Sequence, residues 1–455
     1  MGDDIRSIAV VGSGYVGTVV AACLAKVGHR VVGIEINQEK LALLKSGTAP
    51  FYEPGLDEVL EETVVAGSLR FSDDYDEALA ESDIVFLCVD TPPSADGHPD
   101  MQNVEAAARS IGRALRGPAV LVTKSTVPVG SGHWLESVVQ QEMDDDSAAV
   151  TVVSNPEFLR EGEAVRDFLY PDRIVLGGDR QDAIDLVEAV YEQIITQEFP
   201  GGDPARRPIV VKTSRATAET VKYAANAFLA TKISFINEMA AIAERVGADV
   251  ADISTAIGLD HRIGSAFLRA GVGWGGSCFG KDLAALSSTA REYGYEPQIL
   301  EAVRTVNDQQ RQLVISKLQK HLRPLRGARI TLLGLAFKPN TDDTRDAPAI
   351  TIARSLAAKG AIVRAYDPMV KEVPGLPDLK TMADPYTALE GADAAVIVTE
   401  WPEFADLDFA VVAHGMRAGV VLDGRGLLDP KVVRSAGLVF EAIGKPDPSV
   451  NGNGW

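Results

Sequence analysis

The strongest constraint on the fold of this chain is Gly12-Ser13-Gly14-Tyr15-Val16-Gly17, which follows the β-branched run Ile8–Val11 and opens an apolar, proline-free stretch. Glycines at these spacings permit a tight strand-to-helix turn and close backbone approach to a pyrophosphate, whose charge the helix N-terminus favours. Glu35 stands near the end of the next run, Val31–Ile36. A carboxylate there accepts hydrogen bonds from ribose hydroxyls and repels a 2′-phosphate, which predicts NAD rather than NADP. A GxGxxG alone is often only a turn; the strand, helix and acid around this one give it weight.

Short β-branched runs alternate with helical stretches through the first third: Ile8–Val11, Val31–Ile36, Ile84–Val89, Val120–Thr123, Val152–Ser154 and Ile174–Leu176. This alternation predicts βαβ units on a largely parallel sheet. Beyond Gly201–Pro208, the run Val210–Val246 holds neither glycine nor proline and reads as one long helix. Roughly thirty helical residues span about 45 Å, enough to bridge two domains or form the spine of a dimer. Its alanine-rich, two-sided apolar character predicts burial. From Arg323, GARITLLGLAF places a strand and turn before a helical run Ala349–Lys359, then strands Ile362–Tyr366, Ala394–Val398 and Val420–Leu422. The predicted fold class is α/β: two Rossmann-like, doubly wound parallel-sheet domains joined by a long central helix and a helical middle domain. The boundaries fall at residues 1–205, 206–320 and 321–455.

A length of 455 residues exceeds what one core fills, which agrees with several domains. The formal charge of −20 argues against nucleic acid or an anionic membrane as partner. An anionic ligand must then be held by local arginines, lysines and helix N-termini. Three scattered cysteines without a CxxC suggest neither disulfides nor a metal site, and a reducing cytoplasm fits them. Ser7–Ala25, nineteen residues without a charge, mimics a membrane span in hydropathy, but its spaced glycines and the strand-like run behind it mark a βα unit. The polar, turn-rich end from Pro446 to Trp455 is expected to fray.

Cys278 lies in GVGWGGSCFGKD, Gly271–Asp282, a glycine-dense loop able to wrap a ligand around a thiol. The plainer reading is a small apolar residue filling a gap; no histidine is near it in sequence. Asp282 either handles a water or pairs with Lys281. Thr91-Pro92-Pro93 and Lys124–Pro128 end two strands at the side where open parallel sheets bind ligands, or they merely cap elements. Asn155–Glu161 follows another strand, so Glu157 and Glu161 should approach the same cleft and could move protons, although two glutamates four apart are most often an exposed helical face. Lys222 and Asn226 share one helix face. The lysine either snorkels to solvent, the commoner outcome, or points with Asn226 at developing negative charge. Cys23 and Cys88 read as ordinary packing.

Together GSGYVG, STVPVG, NPEFLREG, VKYAANAFLATKISFINE, RIGSAFLRAGVGWGGSCFGKD, GLAFKPNTDDTRDAP and DGR resemble, in order and over nearly the whole chain, the nucleotide-sugar dehydrogenases of the UDP-glucose/GDP-mannose dehydrogenase family. The likeness is closest to members that act on UDP-glucose. It implies a four-electron oxidation of the sugar C6 alcohol to a carboxylate, consuming two NAD and one water. Cys278 matches the nucleophile that carries the thiohemiacetal and thioester, Lys222 and Asn226 the oxyanion stabilisers, Glu157 the acid/base, and Thr126 and Asp282 the water-handling pair. Cofactor positions match Gly12, Gly14, Tyr15, Val16, Gly17, Glu35, Lys40, Thr91, Thr126, Glu161 and Arg345. Substrate positions match Glu157, Phe158, Leu159, Arg160, Glu161, Lys222, Asn226, Arg269, Gly273, Trp274, Gly275, Lys338 and Arg425, with Arg262 lent across a dimer interface. The resemblance thus implies a homodimer or higher homo-oligomer with NAD and UDP-glucose as its small-molecule partners. Gly280 departs from the Pro or Gln often found there. Competing expectations are the same reaction on GDP-mannose or UDP-N-acetylmannosamine, a two-electron β-hydroxyacid dehydrogenase for which Cys278 is dispensable, and a non-catalytic NAD or nucleotide-sugar sensor. Intact Cys278, Lys222, Asn226 and Asp282 argue against the sensor.

Overall fold

A computed structural model describes residues 5–94, 97–143 and 149–446. The stretch beyond Pro446, expected to fray, lies outside the described residues. The chain divides into two compact units, residues 1–225 with 284–289, and residues 226–283 with 290–455.

In the first unit, strands β1 (Ser7–Val11), β2 (Arg30–Ile34), β3 (Leu69–Ser72), β4 (Ile84–Leu87), β5 (Ala119–Thr123), β6 (Val150–Ser154), β7 (Arg173–Gly177) and β8 (Ile209–Thr213) form one sheet among the described residues. Their order is β3-β2-β1-β4-β5-β6-β7-β8. Val11 of β1 pairs with Ile34 and with Leu87, both in parallel register. β7 meets β6 antiparallel at Ser154 and Gly177, and β8 runs parallel to β7. β4, β5 and β6 are buried along their whole length, as expected of strands covered by helices on both faces.

In the second unit, β9 (Arg329–Leu333), β10 (Ile362–Tyr366), β11 (Lys380–Thr381), β12 (Ala394–Ile397), β13 (Val420–Asp423) and β14 (Val439–Ala442) form a parallel sheet ordered β11-β10-β9-β12-β13-β14. Taken from its first strand, this is the same 3-2-1-4-5-6 winding as the first six strands of the other sheet. The two expected doubly wound sheets are therefore present.

Four strands escaped the sequence pattern. β11 has only two residues, and in β3 and β14 the charged Arg70 and Glu441 interrupt the apolar run by which strands such as β4 are read. β8 was absorbed into the helix expected over Val210–Val246; that helix in fact spans Arg215–Val246. Ser214 makes the joint, its hydroxyl accepting the Thr217 N–H at 3.3 Å, so strand passes to helix without a glycine or proline to mark it. Burial of the long helix is also one-sided. Ala230, Ile236, Ala240 and Ala243 are buried, whereas Phe228, Phe235 and Ile242, spaced by seven, are 66%, 47% and 47% exposed.

Both sheets use one device at the end of their first strand. Gly12 has φ +91° and Gly334 has φ +98°, and a Cβ on them would fall 2.8 Å from Val89 Cγ1 and 2.3 Å from Thr399 Cβ. The second sheet lacks the full GxGxxG but keeps its steric logic. Beyond β10, buried Asp367 accepts five N–H groups: Leu335 (2.7 Å), Ala336 (3.0 Å), Met369 (2.9 Å), Val370 (3.0 Å) and Trp401 Nε1 (3.1 Å). This carboxylate fixes the turns after β9 and β10 to each other.

Gly334→Ala is expected to cost roughly 2–5 kcal/mol, combining overpacking against Thr399 with an unfavourable φ. Urea unfolding checks this; a midpoint unchanged from the parent would contradict the close approach.

Candidate functional site

In the first unit, the turn Gly12–Gly17 joins β1 to the helix Tyr15–Lys26. A Cβ on Gly17 would fall 1.8 Å from the Gly12 carbonyl oxygen, so helix and turn pack backbone to backbone. A Cβ on Gly14 would meet nothing within 4 Å, which leaves the helix start open for a phosphate. Glu35, 9% exposed, follows β2 and accepts the Asn37 N–H at 2.8 Å. Lys40 is exposed on the next helix. Thr91 donates to the Thr126 carbonyl at 2.9 Å, tying together the loops after β4 and β5. These groups fit a dinucleotide, whose role when bound is to accept hydride.

The segment after β6 is not the exposed helical face that two glutamates four apart suggested. Asn155 pins it, donating to the Val175 carbonyl at 2.9 Å and accepting the Tyr191 hydroxyl at 2.6 Å. Glu157 is 8% exposed; its Oε2 accepts the Leu159 N–H and its Oε1 the Lys222 ammonium, each at 2.6 Å. Lys222 is 5% exposed, so it does not snorkel. Burial alone pushes the Glu157 carboxyl up, but the Lys222 charge and hydrogen bond, the Leu159 N–H and Lys124 outweigh it and hold the carboxyl below its ordinary value. Phe158 is half-buried under the Arg173 guanidinium, 3.9 Å from its centroid. Leu159 and Glu161 are half-buried, and Arg160 is exposed and bound to Asp167.

Of two further charged residues here, Lys124 stood in the sequence only within the strand-end loop Lys124–Pro128, and Glu219 carried no sequence signal. Lys124 is buried, 5.7 and 5.5 Å above the Phe168 and Tyr191 rings, and burial pushes it down from 10.5 to about 8. Glu219, one turn before Lys222, accepts the N–H groups of Gly130 (2.6 Å) and Gly132 (3.1 Å) and the Ser154 hydroxyl (3.2 Å); burial pushes its carboxyl up. Lys124, Thr126, Glu219 and Lys222 line one small cavity.

In the second unit, Cys278 immediately precedes the helix Phe279–Glu292, and its carbonyl accepts the Asp282 N–H at 2.9 Å. The thiol therefore stands at the positive end of the helix dipole. Buried Asp282 accepts the Asn226 amide at 2.6 Å through Oδ2, while Lys281 Nζ lies 3.2 Å from Oδ1 as an ion pair without hydrogen-bond alignment. The other two cysteines differ in kind: Cys23 and Cys88 are buried, and burial pushes both thiols up, Cys88 to about 12. Cys278 is only half-buried. The glycines ahead of it approach the protein's own backbone and side chains rather than open space. A Cβ on Gly271, Gly273 or Gly275 would fall 2.8, 2.6 or 2.4 Å from Gly424 O, Asn307 Oδ1 or Asp346 O. At Gly280 the nearest atom would be 3.5 Å away, an ordinary contact, and the helix runs through it.

Polar side chains from helices pin this loop. Asn237 accepts the Gly271 N–H (2.8 Å), Asn307 accepts the Trp274 N–H (2.8 Å) and donates to its carbonyl (3.1 Å), and Trp274 Nε1 donates to Ser234 (3.1 Å). Arg425 follows β13 and donates to the carbonyls of Val398 (2.6 Å) and Gly273 (3.2 Å). Of the other expected residues, Arg345 touches this loop through its carbonyl, which accepts the Gly276 N–H at 3.0 Å. Arg262 is exposed against Asp260, Arg345 is exposed against Asp343, Arg269 is exposed, and Lys338 is half-buried 5.8 Å from the Phe337 centroid. Among the described residues no cluster of His, Cys, Asp and Glu could hold a metal ion, and no helix is long and apolar enough to cross a membrane.

A doubly wound sheet with an open glycine turn and an acid after its second strand, carried by a chain with a half-buried thiol at a helix start, defines a nucleotide-dependent oxidoreductase. Three consecutive regions match models of the UDP-glucose/GDP-mannose dehydrogenase family: its NAD binding domain over residues 6–195, central domain over 216–309 and UDP binding domain over 331–430. The chain is 43% identical to UDP-glucose 6-dehydrogenase TuaD of Bacillus subtilis (strain 168) over 97% of this chain and 94% of that one. It is 45% identical to UDP-glucose 6-dehydrogenase of Rhizobium meliloti (strain 1021) over 97% and 100%. A UDP-glucose dehydrogenase structure from the hyperthermophilic archaeon Pyrobaculum islandicum superimposes with TM-score 0.89 at 39% identity, covering 98% of this chain and 99% of that one. The chain belongs to the UDP-glucose/GDP-mannose dehydrogenase family and is an NAD-dependent oxidoreductase.

Lys124 gives a pH-dependent signature. Its folded pKa lies below its unfolded one, so between about pH 8 and 10.5 the unfolded chain binds more protons and stability rises with pH; below 8 the full cost of the buried charge is present. Lys124→Met is expected to raise the melting temperature most below pH 8, the gain shrinking toward pH 10.5. Thermal unfolding across that range checks it, and a pH-independent gain would contradict it.

Proposed function

We propose that this protein oxidises the C6 alcohol of UDP-glucose to the carboxylate of UDP-glucuronate in two hydride transfers to NAD. One water is consumed and three protons are released, so each sugar yields two NADH. The observation that carries this reading is the contrast among the thiols: Cys278 is the half-buried one, at a helix start one turn from Asp282. The Cys278 sulfur adds to the C6 aldehyde left by the first transfer. The second transfer converts that thiohemiacetal to a thioester, which water cleaves to carboxylate and free thiol.

Glu157 and Lys222 form a buried pair able to pass a proton, and Lys222 and Asn226, one turn apart on the long helix, are donors suited to an alkoxide. Asp282 and Thr126 handle the water. Glu35, Lys40, Thr91, Thr126, Glu161 and Arg345 serve the cofactor with the glycine turn, while residues 157–161, Arg269, Gly273–Gly275, Lys338 and Arg425 serve the sugar nucleotide. Residues 1–205, 206–320 and 321–455 act as NAD, central and UDP parts. UDP-glucose is favoured as substrate by near-full-length identity to relatives bearing that substrate in their names. A second copy of the chain covers the exposed seam Phe228, Phe235 and Ile242, whose spacing by seven suits helix pairing, and brings its Arg262 to the neighbouring site. The protein works in the cytoplasm.

Run to completion, the wild type should form two NADH per UDP-glucose, and Cys278→Ala should lose turnover. One NADH per sugar, or a variant that still completes both steps, would remove the covalent route.

A further inference from the structure

Glu53 belongs to none of the motifs singled out by sequence, yet it is only 5% exposed and its carboxylate joins two functional segments of the first unit. It lies in Phe51-Tyr52-Glu53-Pro54-Gly55, ahead of the helix Leu56–Val65. Oε1 accepts the Ala164 N–H at 2.7 Å. Oε2 accepts both the Gly162 N–H at 2.6 Å and the Tyr15 hydroxyl. The Gly162 N–H also lies 3.1 Å from the Tyr15 oxygen, which closes a triangle. Burial first, then Glu53, raises the Tyr15 hydroxyl far above its ordinary value, so it stays a donor.

Each end of this triangle matters. Tyr15 is the first residue of the helix after Gly14, and its ring packs on Phe51 with centroids 4.8 Å apart, so it moves with the turn that admits the pyrophosphate. Gly162 closes the segment carrying Glu157, whose upstream end is held by Lys222 at 2.6 Å. An ionised carboxylate is acceptor-only, and this one cannot follow one partner without straining its bonds to the others.

We infer that Glu53 is a positioning residue that couples occupancy of the dinucleotide turn to the order of residues 157–164, so that cofactor binding tightens the sugar-facing segment. The sugar-facing role of that segment rests on the function proposed above; the coupling itself involves only the turn, Tyr15, Glu53 and two backbone amides. A clamp that served stability alone would hold residues 157–164 equally with and without cofactor. Coupling through Tyr15 must instead appear as a cofactor-dependent difference, and it must act in both directions.

Amide hydrogen exchange on the full chain tests this, with NADH raised until residues 12–17 are equally protected in every variant. In the wild type, NADH should slow exchange over residues 157–167 by at least about fivefold. Tyr15→Phe keeps the ring on Phe51 and leaves Glu53 its two amides; it should lose that slowing while its exchange without NADH matches the wild type. Glu53→Gln must turn an NH2 toward an N–H donor, and should speed exchange around Gly162 and Ala164 even without NADH. In turnover, Tyr15→Phe should raise the KM for UDP-glucose by a larger factor than it lowers kcat. No NADH-dependent slowing in the wild type, the same slowing in Tyr15→Phe, or unchanged exchange in Glu53→Gln would each overturn the inference. A wild type that shows the slowing but does not oxidise UDP-glucose would sink the substrate reading alone.

Discussion

Both sheets depend on one steric constraint: the first strand must end where no side chain fits. Gly12 and Gly334 each lie against the chain leaving the fourth strand, with Val89 and Thr399 occupying the space a Cβ would need. That close approach brings the carboxyl ends of the two central strands together at the point where the winding reverses, which is where an open α/β sheet forms its crevice. In the first unit the neighbouring helix start stays open and the following acid, Glu35, faces the same end of the sheet. The remaining architecture serves to hold these loop ends at fixed positions.

Part of the holding is done by buried and half-buried polar side chains. Glu53 and Glu219 on the first unit, and Asn237, Asn307 and Arg425 on the second, each bind backbone groups of loops distant in sequence. A buried acceptor stripped of its partners costs about 1–3 kcal/mol, so such bonds specify one loop conformation sharply even where their net contribution to stability is modest. The Lys222–Glu157 pair follows the same logic. Removing one partner of a buried pair costs far more than the pair itself contributes. Its geometry is therefore fixed by the penalty for leaving it.

Much of this was legible in the sequence, for identifiable reasons. The winding of the first sheet followed from β-branched runs and Gly12–Gly17, and the second sheet from GARITLLGLAF and the strands after it. Cys278 stood out because its loop is dense in glycine, although those glycines turned out to accommodate the protein's own backbone and side chains. What could not be read was contact across sequence distance. Nothing local distinguishes Glu53 or Glu219 from surface charges, and Lys124 stood out only as the start of a strand-end loop; burial decides their roles, and burial is set by the tertiary fold. The same limit applied to Lys222, for which solvent was the commoner fate and Glu157 the actual one. β8 was lost because Ser214 alone separates strand from helix.

The acids after the second strand of each sheet, Glu35 and Asp367, occupy corresponding places and have opposite fates. Glu35 accepts one backbone N–H at 2.8 Å, whereas five donors converge on Asp367. A carboxylate offers about four lone-pair directions, so Asp367 is saturated and has no capacity left for a ribose diol. The second sheet has the shape of a dinucleotide half-site with its sugar-reading acid silenced from within. A nucleotide bound there must be recognised through other groups, and the repeated winding does not make the two crevices interchangeable.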